Sequence, residues 1–376
     1  MATLLYILAL PFLLYLRFKP KYKHSIPARF FLKDNPKFLK EGLWFHACSL
    51  GEVRSLKPIL EQLSAYGPLN LSVITQTGYK EALSYQNVNV RYLPFEIFLP
   101  FWVQHQRTLV VMEAELWPML FIAAKHRKCK TILLNARISD RSYVSYQRFA
   151  FVYHWIFKSI DLVFAQSNVD KERLESLGAH NVLVEGNIKT LQSFSVTTPY
   201  AKESGKRVIV LASTHDKEEE LILSSLVLKE HDQFIVVPRH PERFAVVDGW
   251  LSVFAQKHKL TYSKASQTKA LTADIILCDC MGELINYYAI ADIVFLGGSF
   301  VEGVGGHNPL EPAYFQTKII SGEHIFNQKV LYSLVENIVT CKKEEIKEVF
   351  NNSEAMLPSV IAYRGDSAPL IKEIVG

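Results

Sequence analysis

The chain alternates short apolar runs with longer stretches in which apolar residues recur every three or four positions. From residue 43 onward, each short run is followed by turn residues and then by a helical pattern such as that of residues 53–63. Strands alternating with helices are typical of parallel sheets covered on both faces. The pattern predicts an α/β fold with doubly wound parallel sheets. The predicted strands are residues 43–47, 71–75, 90–94, 108–112, 131–135, 162–166, 182–185, 208–212, 234–237, 274–278, 293–296 and 318–320. The predicted helices include residues 168–177, 218–229, 241–257, 282–291 and 309–316.

A polar segment interrupts this pattern near the middle of the chain. Residues 190–206 carry Pro199 and Gly205, and the α/β pattern restarts after them. We therefore expect two Rossmann-like domains, residues 25–195 and 206–345. A ligand cleft is expected between the carboxyl ends of their two sheets.

The N-terminal segment is apolar and is followed by cations. Residues 3–16 are uncharged and mostly apolar, with Pro11 inside, which is short of the roughly 20 residues of a spanning helix. A signal peptide is disfavoured because no basic region precedes the run and no small-residue cleavage site follows it. Cations at that edge bind anionic headgroups and keep the following chain cytoplasmic. Residues 1–24 are predicted to be a membrane anchor with a basic flank, single-pass or in-plane; the alternative is a buried first helix. The cations are Arg17, Lys19, Lys21 and Lys23.

Composition narrows the class of protein further. The 376 residues are 49% hydrophobic and 21% charged, which indicates a folded chain of two ordinary domains. The net charge is +5, but residues 1–60 contribute +7 and the remainder −2. This asymmetry argues against a general nucleic-acid-binding surface. The five cysteines are scattered without zinc-site spacing, so we expect a reducing compartment and no structural metal.

The strongest local signal is a glycine-rich loop, "FLGGSFVEGVGGHNPLEP", at residues 295–312. Asn308, Pro309 and Glu311 have the spacing of a helix N-terminus with a capping box. The glycines are more numerous than a cap requires, and glycine permits close backbone approach to an anion at a helix N-terminus. The loop therefore favours nucleotide binding over a plain connection.

Three other segments of the second half carry weaker signals. Arg239 ends a strand in "VVPRHPERF", where its guanidinium suits a phosphate or sugar carboxylate; the alternative is a surface pair with Glu242. Residues 282–284 ("GEL") open a helix, where backbone N–H groups are free. Residues 213–215 follow a strand, and Asp216 and Glu219 have the spacing of another capping box.

In the first half, acidic residues and one lysine follow predicted strands. Glu113 and Glu115 come after an apolar strand, and they share a face if the strand continues; neighbouring carboxylates raise each other's pKa. Alternatively, one of them caps the helix near Pro118. Lys189 follows the last strand of this half and is either solvated or faces an anion. Glu52 stands in "SLGE", whose spacing by itself predicts a helix cap.

Several enzyme classes find no support. The chain contains no GxSxG, HExxH or P-loop motif, and its glycine loop is not GxGxxG, so a hydride-transferring dinucleotide enzyme is not indicated.

Eight ordered motifs resemble those of the 3-deoxy-D-manno-octulosonic acid (Kdo) transferases, which are inverting GT-B glycosyltransferases of lipopolysaccharide biosynthesis. The resemblance extends from the N-terminal anchor to about residue 330, and Ala114 stands where we expect threonine in the family. The motifs are "HACSLGEV", "MEAELWP", "NAR-S", "GNIK", "AST", "VPRHPERF", "GEL" and "GGHNPLEPA".

The resemblance implies transfer of Kdo from CMP-Kdo to a lipid A precursor (lipid IV-A) at the cytoplasmic side of the inner membrane, without a metal or cofactor. It makes residues 25–195 the acceptor domain and 206–345 the CMP-sugar donor domain, with the tail, 346–376, packing back on the first. It assigns Glu52 as general base, and Glu113 and Lys189 to transition-state stabilisation. The positions that match CMP-contacting segments are Pro238, Arg239, Gly282, Glu283, Leu284, Asn308, Pro309, Leu310 and Glu311.

Two alternatives remain at this stage. One is a GT-B transferase or epimerase that uses another nucleotide sugar, such as a UDP-sugar. The other is a peripheral membrane scaffold with a vestigial nucleotide cleft, which predicts that Glu52→Ala leaves all biological activity intact.

Overall fold

The computed structural model describes residues 2–113, 115–363 and 366–376. Within them the chain forms two compact units. The first holds the described residues up to Gln192 together with 366–376, and the second holds residues 193–363. The division falls inside the polar segment 190–206.

The first unit is built on a parallel sheet whose strands are short and apolar. All five residues of β1, β2 and β4, the central strands, are buried, because helices cover both faces of the sheet. The elements up to Gln192 are α1 (Ala2–Leu16), α2 (Ser25–Phe31), β1 (Leu43–Ala47), α3 (Leu50–Leu63), β2 (Leu69–Val73), α4 (Gln76–Ala82), β3 (Val88–Tyr92), α5 (Leu99–Trp102), β4 (Thr108–Met112), α6 (Pro118–His126), β5 (Lys130–Ala136), α7 (Asp140–Arg148), α8 (Ala150–Phe157), β6 (Leu162–Ala165), α9 (Asn168–Ser176) and β7 (Val182–Val184), with 3-10 turns at Pro20–Tyr22, Ser64–Tyr66, Glu96–Phe98 and Ile188–Leu191.

The order of these strands creates a switch point between β1 and β4. The sheet runs β3-β2-β1-β4-β5-β6-β7, with all neighbours parallel. The chain builds outward from β1 to β3 and then returns to the other side of β1 to form β4. The loops that follow β1 and β4 therefore leave in opposite directions, and such a point opens a crevice at the carboxyl edge of the sheet.

The second unit repeats this plan. Its elements are β8 (Arg207–Thr214), α10 (Glu218–Ser225), β9 (Asp232–Pro238), α11 (Phe244–His258), β10 (Tyr262–Lys264), β11 (Ile275–Leu277), α12 (Leu284–Tyr288), β12 (Ile293–Leu296), α13 (Leu310–Tyr314), β13 (Lys318–Ser321), α14 (Lys329–Tyr332), β14 (Val335–Glu336), β15 (Val339–Thr340), α15 (Ile346–Asn351) and β16 (Val360–Ile361), with 3-10 turns at Pro241–Arg243, Lys343–Glu345 and Ser353–Ala355. The sheet order is β10-β11-β9-β8-β12-β13-β15, all parallel, so the switch point lies between β8 and β12; β14 and β16 form a separate antiparallel pair.

The last helix, α16 (Ser367–Val375), completes the core of the first unit. Leu370 and Ile374 are fully buried in the apolar cluster that lies beneath α3. The Thr108 hydroxyl donates to the Ile374 carbonyl at 2.8 Å, and Lys130 pairs with Glu373 at 2.9 Å. The C-terminus is therefore tied to the amino ends of β4 and β5.

The predicted α/β fold with parallel sheets is confirmed, and the differences concern its ends and edges. The helix predicted at 218–229 ends at Ser225 because Leu226 adopts an extended conformation. The helix predicted at 282–291 is reduced to α12. The edge strands β10 and β14–β16 are two or three residues long, too short for an alternation to be recognised in the sequence.

Helix α1 contains Pro11 and is 15 residues long. Among the described residues, no helix combines the length and apolar character needed to cross a bilayer.

Candidate active site

Glu52 lies in the first turn of α3, directly beyond the carboxyl end of β1. Ser49 caps this helix, and its hydroxyl accepts from the Glu52 backbone N–H at 3.3 Å. The same hydroxyl donates to the Glu52 carboxylate at 2.7 Å, and the Cys48 backbone N–H donates to the other carboxylate oxygen at 2.7 Å. The predicted cap is thus present, but the carboxylate reaches back to Cys48, one residue before the position that a capping box uses.

The surroundings of Glu52 favour its protonated form. The residue is only 7% exposed, and this burial is the main reason that its pKa is raised above the ordinary value. The two hydrogen bonds to the carboxylate act in the opposite direction, whereas the nearby Glu113 and Glu115 raise the pKa further. A carboxylate of raised pKa is better matched to accepting a proton near neutral pH than an ordinary surface glutamate.

Glu113 follows β4 at the neighbouring strand end. The strand stops at Met112, and Glu113 adopts a left-handed backbone conformation with φ of 54°. Such a φ is costly for a residue other than glycine and is found most often where function requires it. The strand therefore does not continue, so the condition for Glu113 and Glu115 to share one strand face is not met. The Glu113 carboxylate lies 3.6 Å from the Lys189 ammonium.

Lys189 is held in place by a set of buried amides. Asn135, also left-handed at φ 59°, accepts from the Ile188 N–H at 3.1 Å, and Asn187 accepts from the Lys189 N–H at 3.0 Å. Gln166 joins the two asparagines, because it donates to the Asn135 carbonyl and accepts from the Asn187 amide. The motifs "NAR-S" and "GNIK" thus supply positioning residues that the motif spacing alone did not identify.

The Asn135 amide nitrogen has no hydrogen-bond partner within the part of the chain that the structure describes. Asn135 is 1% exposed, and the bond from Ile188 fixes the orientation of its side chain. An unsatisfied buried donor costs free energy unless a ligand or water satisfies it.

A thiol and a guanidinium complete the surroundings of Glu52. Burial and the neighbouring carboxylates raise the pKa of the Cys48 thiol far above its usual range, so Cys48 is not a nucleophile. Burial lowers the pKa of Arg29 to about 10, with Cys48 and Glu115 opposing that effect, so Arg29 stays charged at neutral pH. Arg29 on α2 therefore adds a cation near Glu115 and Cys48.

The suggestion that Glu113 or Glu115 caps the helix near Pro118 is wrong. Helix α6 has no side-chain cap at Trp117. Instead, Glu96 from the preceding 3-10 turn accepts from the Met119 N–H at 3.0 Å. Neither Glu113 nor Glu115 is therefore used as a cap of α6, and both lie in the loop that follows β4.

In the second unit, Glu218 organises the glycine-rich loop. It is fully buried, and its carboxylate accepts from the backbone N–H groups of Gly298 (2.7 Å), His215 (2.8 Å) and Phe300 (3.0 Å). The backbone at the end of β8 approaches position 297 so closely that only glycine fits, since a Cβ there would lie 2.7 Å from the Ser213 carbonyl oxygen. Glu218 therefore joins the loop after β12 to the loop after β8.

The side chain of Asn308 organises the start of α13, near the buried Tyr288. Tyr288 is 1% exposed, and burial raises its pKa; Glu311 raises the pKa further and Arg239 opposes the rise. Asn308 accepts from the Leu310 N–H at 3.0 Å and donates to the Glu311 side chain at 3.2 Å. The helix start predicted with Asn308 at the N-cap is shifted by one residue, since α13 begins at Leu310 with Pro309 at the N-cap, and the Asn308 side chain bonds to both Leu310 and Glu311.

Other residues from the predicted CMP-contacting segments have structural roles. Glu283 accepts from the Tyr200 hydroxyl at 3.0 Å and from the Asn286 amide at 2.8 Å. Leu310 is 1% exposed in the core, and Pro238 is buried at the end of β9. Gly282, with φ of 88°, and Leu284 lie beside Glu283 at the start of α12. These residues therefore present their backbone N–H and C=O groups to a ligand more readily than their side chains.

Two local alternatives from the sequence are also wrong. Glu242 lies 3.9 Å from His240, and no ion pair joins it to Arg239 in the described chain. The predicted Asp216–Glu219 box is absent: Lys217 is the N-cap of α10 and makes no side-chain cap bond, and Glu219 accepts two hydrogen bonds, of 2.8 and 2.9 Å, from Arg243.

A histidine pair lies at the switch point of the second sheet and was not recognised from the sequence. The Nε2 atoms of His215 and His307 are 2.9 Å apart, and the two rings are stacked. His240 packs edge-on against His215. Each histidine follows a strand end in the sequence, but only the order of the strands reveals that they meet.

Comparison with known proteins gives consistent results over most of the chain. The family model described as 3-deoxy-D-manno-octulosonic-acid transferase (kdotransferase) matches residues 24–192. The 3-deoxy-D-manno-octulosonic acid transferase of Haemophilus influenzae is 31% identical over 369 residues, which cover 91% of this chain and 84% of that protein.

A bifunctional glycosyltransferase/methyltransferase of Fusobacterium nucleatum is 32% identical over 77% of this chain, and the match spans only 48% of that longer protein. Among solved structures, UDP-GlcNAc 2-epimerase from Neisseria meningitidis bound to UDP-GlcNAc has a TM-score of 0.55 at 12% identity, covering 90% of this chain and 94% of that one. This last likeness concerns the fold alone. From the extended match to the H. influenzae protein, the chain belongs to the 3-deoxy-D-manno-octulosonic acid transferase family.

Proposed function

We propose that the protein is a glycosyltransferase that transfers Kdo from CMP-Kdo to a lipid A precursor, lipid IV-A, with inversion at the anomeric carbon. The observation that carries the proposal is the buried Glu52 carboxylate, held at the end of β1 beside the Glu113–Lys189 pair. Family membership supports Kdo as the transferred sugar.

Glu52 acts as the general base in this proposal. A hydroxyl of the acceptor attacks the anomeric carbon, and its proton passes to the Glu52 carboxylate. The new carbon–oxygen bond forms on the face opposite the leaving group, while the bond to the CMP phosphate breaks and its electron pair leaves with CMP. The raised pKa of Glu52 supports this role, because a stronger base accepts the proton more readily.

The proposal gives Glu113 and Lys189 complementary electrostatic roles. Positive charge develops on the sugar carbon in an oxocarbenium-like transition state, and negative charge develops on the leaving phosphate. Glu113 supplies a carboxylate for the former, and Lys189 supplies an ammonium for the latter. The two groups lie 3.6 Å apart, so both can act on the same reacting centre.

The GT-B arrangement stays a prediction, as do an acceptor domain at 25–195, a donor domain at 206–345 and a tail at 346–376. The elements of the tail are divided, since α15 and β16 belong to the second unit and α16 to the first. Each unit by itself has the parallel sheet with one switch point that ligand-binding α/β domains use.

We further propose attachment to the cytoplasmic face of the inner membrane through α1 and its basic flank. Leu8, Phe12 and Phe18 are 69%, 61% and 73% exposed, and Arg17 and Lys19 lie over neighbouring aromatic rings. Exposed apolar side chains next to cations suit an interface with anionic lipid. Phe12→Asp should reduce sedimentation with anionic vesicles while leaving Kdo transfer to a detergent-solubilised acceptor; unchanged sedimentation would contradict the attachment.

The direct test is incubation of the full chain with CMP-Kdo and lipid IV-A, followed by product mass. A mass increase in steps of one Kdo residue, with release of CMP, is expected. A parallel thermal-shift series compares CMP with UDP. Protection by UDP and not by CMP would overturn the proposed donor and favour a UDP-sugar enzyme.

A further inference from the structure

The second unit contains a group of cationic and potentially cationic side chains, of which only Arg239 has so far been given a role. His215 follows β8, Arg239 and His240 follow β9, and His307 precedes α13. The Nε2 atoms of His215 and His307 are 2.9 Å apart. Arg239 is exposed, and its guanidinium donates no hydrogen bond to any residue that the structure describes.

The contact between the two histidines restricts their charge. A hydrogen bond between two Nε2 atoms needs a proton on one and a lone pair on the other. If both atoms carried protons, two N–H groups would point at each other. The pair as observed therefore holds no more than one positive charge.

The surroundings explain why the pair is short of protons. Burial is the main reason that the pKa of His307 falls to about 4, and His215, Arg239 and His240 lower it further. The pKa of His215 is lowered by burial, His240, Arg243 and Arg239, and only Glu219 opposes them.

Of the acidic groups that follow His215, Asp216 is exposed to solvent, and the two glutamates are already engaged. Glu219 is bonded twice to Arg243, and Glu218 accepts three backbone N–H groups. Neither carboxylate is left to neutralise Arg239 and the histidines. The site therefore has a positive potential, and an anion is its natural ligand.

We propose that His215, His307 and Arg239 form a phosphate-binding site for the nucleotide, and that the histidine pair takes up one proton when the phosphate binds. This inference rests on the proposed function, because CMP is the ligand considered. The proton comes from solvent and adds to the Nε2 lone pair that accepts the histidine–histidine bond. That bond then breaks, and the two N–H groups turn to donate to phosphate oxygens, with Arg239 as a further donor.

The loop geometry accommodates this movement. Gly298 has φ of 69°, and a Cβ at this position would lie 3.0 Å from the His307 ring. The absence of a side chain at Gly298 thus leaves room beside the imidazole. Glu218 meanwhile holds the backbone of the same loop, so the histidine ring can turn without loss of the loop structure.

The test is titration calorimetry of the full chain with CMP and with cytidine at pH 7.5, in buffers of different ionisation enthalpy. At this pH the phosphate of CMP, whose second pKa is about 6, is already a dianion. CMP should bind with uptake of a proton, and cytidine should bind without uptake. Replacing either histidine by glutamine (His215→Gln or His307→Gln) should weaken CMP about tenfold, the value of one charge-assisted hydrogen bond, and abolish the uptake.

The matched control is His258→Gln, at the exposed end of α11. It should leave CMP affinity and proton uptake unchanged. CMP binding without proton uptake, or uptake that persists in both histidine variants, would overturn the phosphate site while leaving the proposed function intact. If only UDP binds, with the same uptake, the proposed donor fails and the phosphate site stands. Because uptake is measured on the unmodified protein, the test holds even if one variant misfolds.

Discussion

The Lys189 ammonium lies 3.6 Å from the Glu113 carboxylate, although the two residues follow different strands of the first sheet. Both side chains are about one-third exposed. An ion pair of this kind contributes little to stability, typically 0–1 kcal/mol. Its geometry is nevertheless enforced, by the left-handed backbone of Glu113 and by the amides that hold the Lys189 turn.

Because the ion pair contributes little to stability, substitution of Lys189 should affect turnover much more than folding. Lys189→Met should lower the unfolding free energy by less than about 1 kcal/mol and reduce kcat by about 100-fold, as expected for loss of an electrostatic group at the transition state. The matched control is Lys125→Met, which breaks the surface pair with Asp161. That control should change stability to a similar small extent and turnover by no more than a few-fold. Equal turnover in both variants would contradict the role of Lys189.

Glu52→Gln should abolish turnover while the fold is retained. Glutamine can still accept from the Cys48 N–H and preserve the helix cap, but it cannot take a proton from the acceptor hydroxyl. Thermal unfolding and CMP affinity should therefore stay close to those of the unmodified protein. Near-normal turnover in this variant would show that Glu52 is only a cap.

The chain offers a matched control for this substitution. Asp170 in α9 occupies the same type of capping arrangement: Ser167 donates to it at 2.6 Å, and the Ile138 N–H donates at 2.9 Å. Asp170→Asn should lower stability by about 1 kcal/mol and leave the turnover of the folded protein within a few-fold.

The pH dependence of turnover follows from the direction of the Glu52 shift. A base must be deprotonated, so activity should fall as the pH decreases through the raised pKa of Glu52, above the ordinary glutamate value of 4.5. Glu115→Gln removes one of the charges that raise this pKa and should move the acidic limb of the pH–rate profile to lower pH. Glu81→Gln, on α4, should not move it. An acidic limb at the same pH in all three proteins would argue against Glu52 as the titrating group.

The same shift predicts how Glu52 affects stability. Because its pKa is higher in the folded than in the unfolded state, the folded chain binds more protons through this range. The contribution of Glu52 to stability is therefore full below pH 4.5 and is lost as the pH rises through the folded-state pKa. Urea unfolding should find Glu52→Gln gaining stability relative to the unmodified protein between pH 4 and pH 8. A constant difference across that range would contradict the shift.

Substitutions at Asn135 should separate backbone strain from hydrogen bonding. Asn135→Gly relieves the left-handed backbone but loses the bond from the Ile188 N–H, whereas Asn135→Ala loses the bond and adds strain of about 1–2 kcal/mol. The Asn135→Ala variant should therefore be less stable than Asn135→Gly by about that amount, although alanine is usually the more stabilising of the two residues. Both variants should lower kcat because the Lys189 turn loosens. Equal stability of the two would indicate that the backbone relaxes at this position.

The apolar periodicity was sufficient to predict α/β folding with parallel sheets, because strands buried on both faces read as continuous apolar runs. Short edge strands such as Val339–Thr340 were not predicted, because two residues are too few to show an alternation of apolar and polar positions. Helix ends were displaced where a local conformation, as at Leu226, ended the helix earlier than the pattern suggested.

Site residues were predictable to the extent that they follow strands. Glu52, Glu113 and Lys189 were all singled out in this way, and their motifs carried the resemblance to the family. The sequence left open whether Glu115 caps α6, because it does not reveal that Glu96 occupies that helix end. It also favoured Glu219 over Glu218 as the cap near β8, since spacing ignores which carboxylate turns inward.

The sequence by itself therefore determined the class of fold and the strand ends that carry chemistry, since burial and turn formation are local properties of a few neighbouring residues. Only the tertiary structure decided which of those ends meet. Because the chain returns to place β4 beside β1, Glu113 lies near Glu52. Because it returns again to place β12 beside β8, His307 contacts His215. Strand order depends on contacts between residues far apart in the chain, and the pKa shifts follow from the burial and charge that those contacts create.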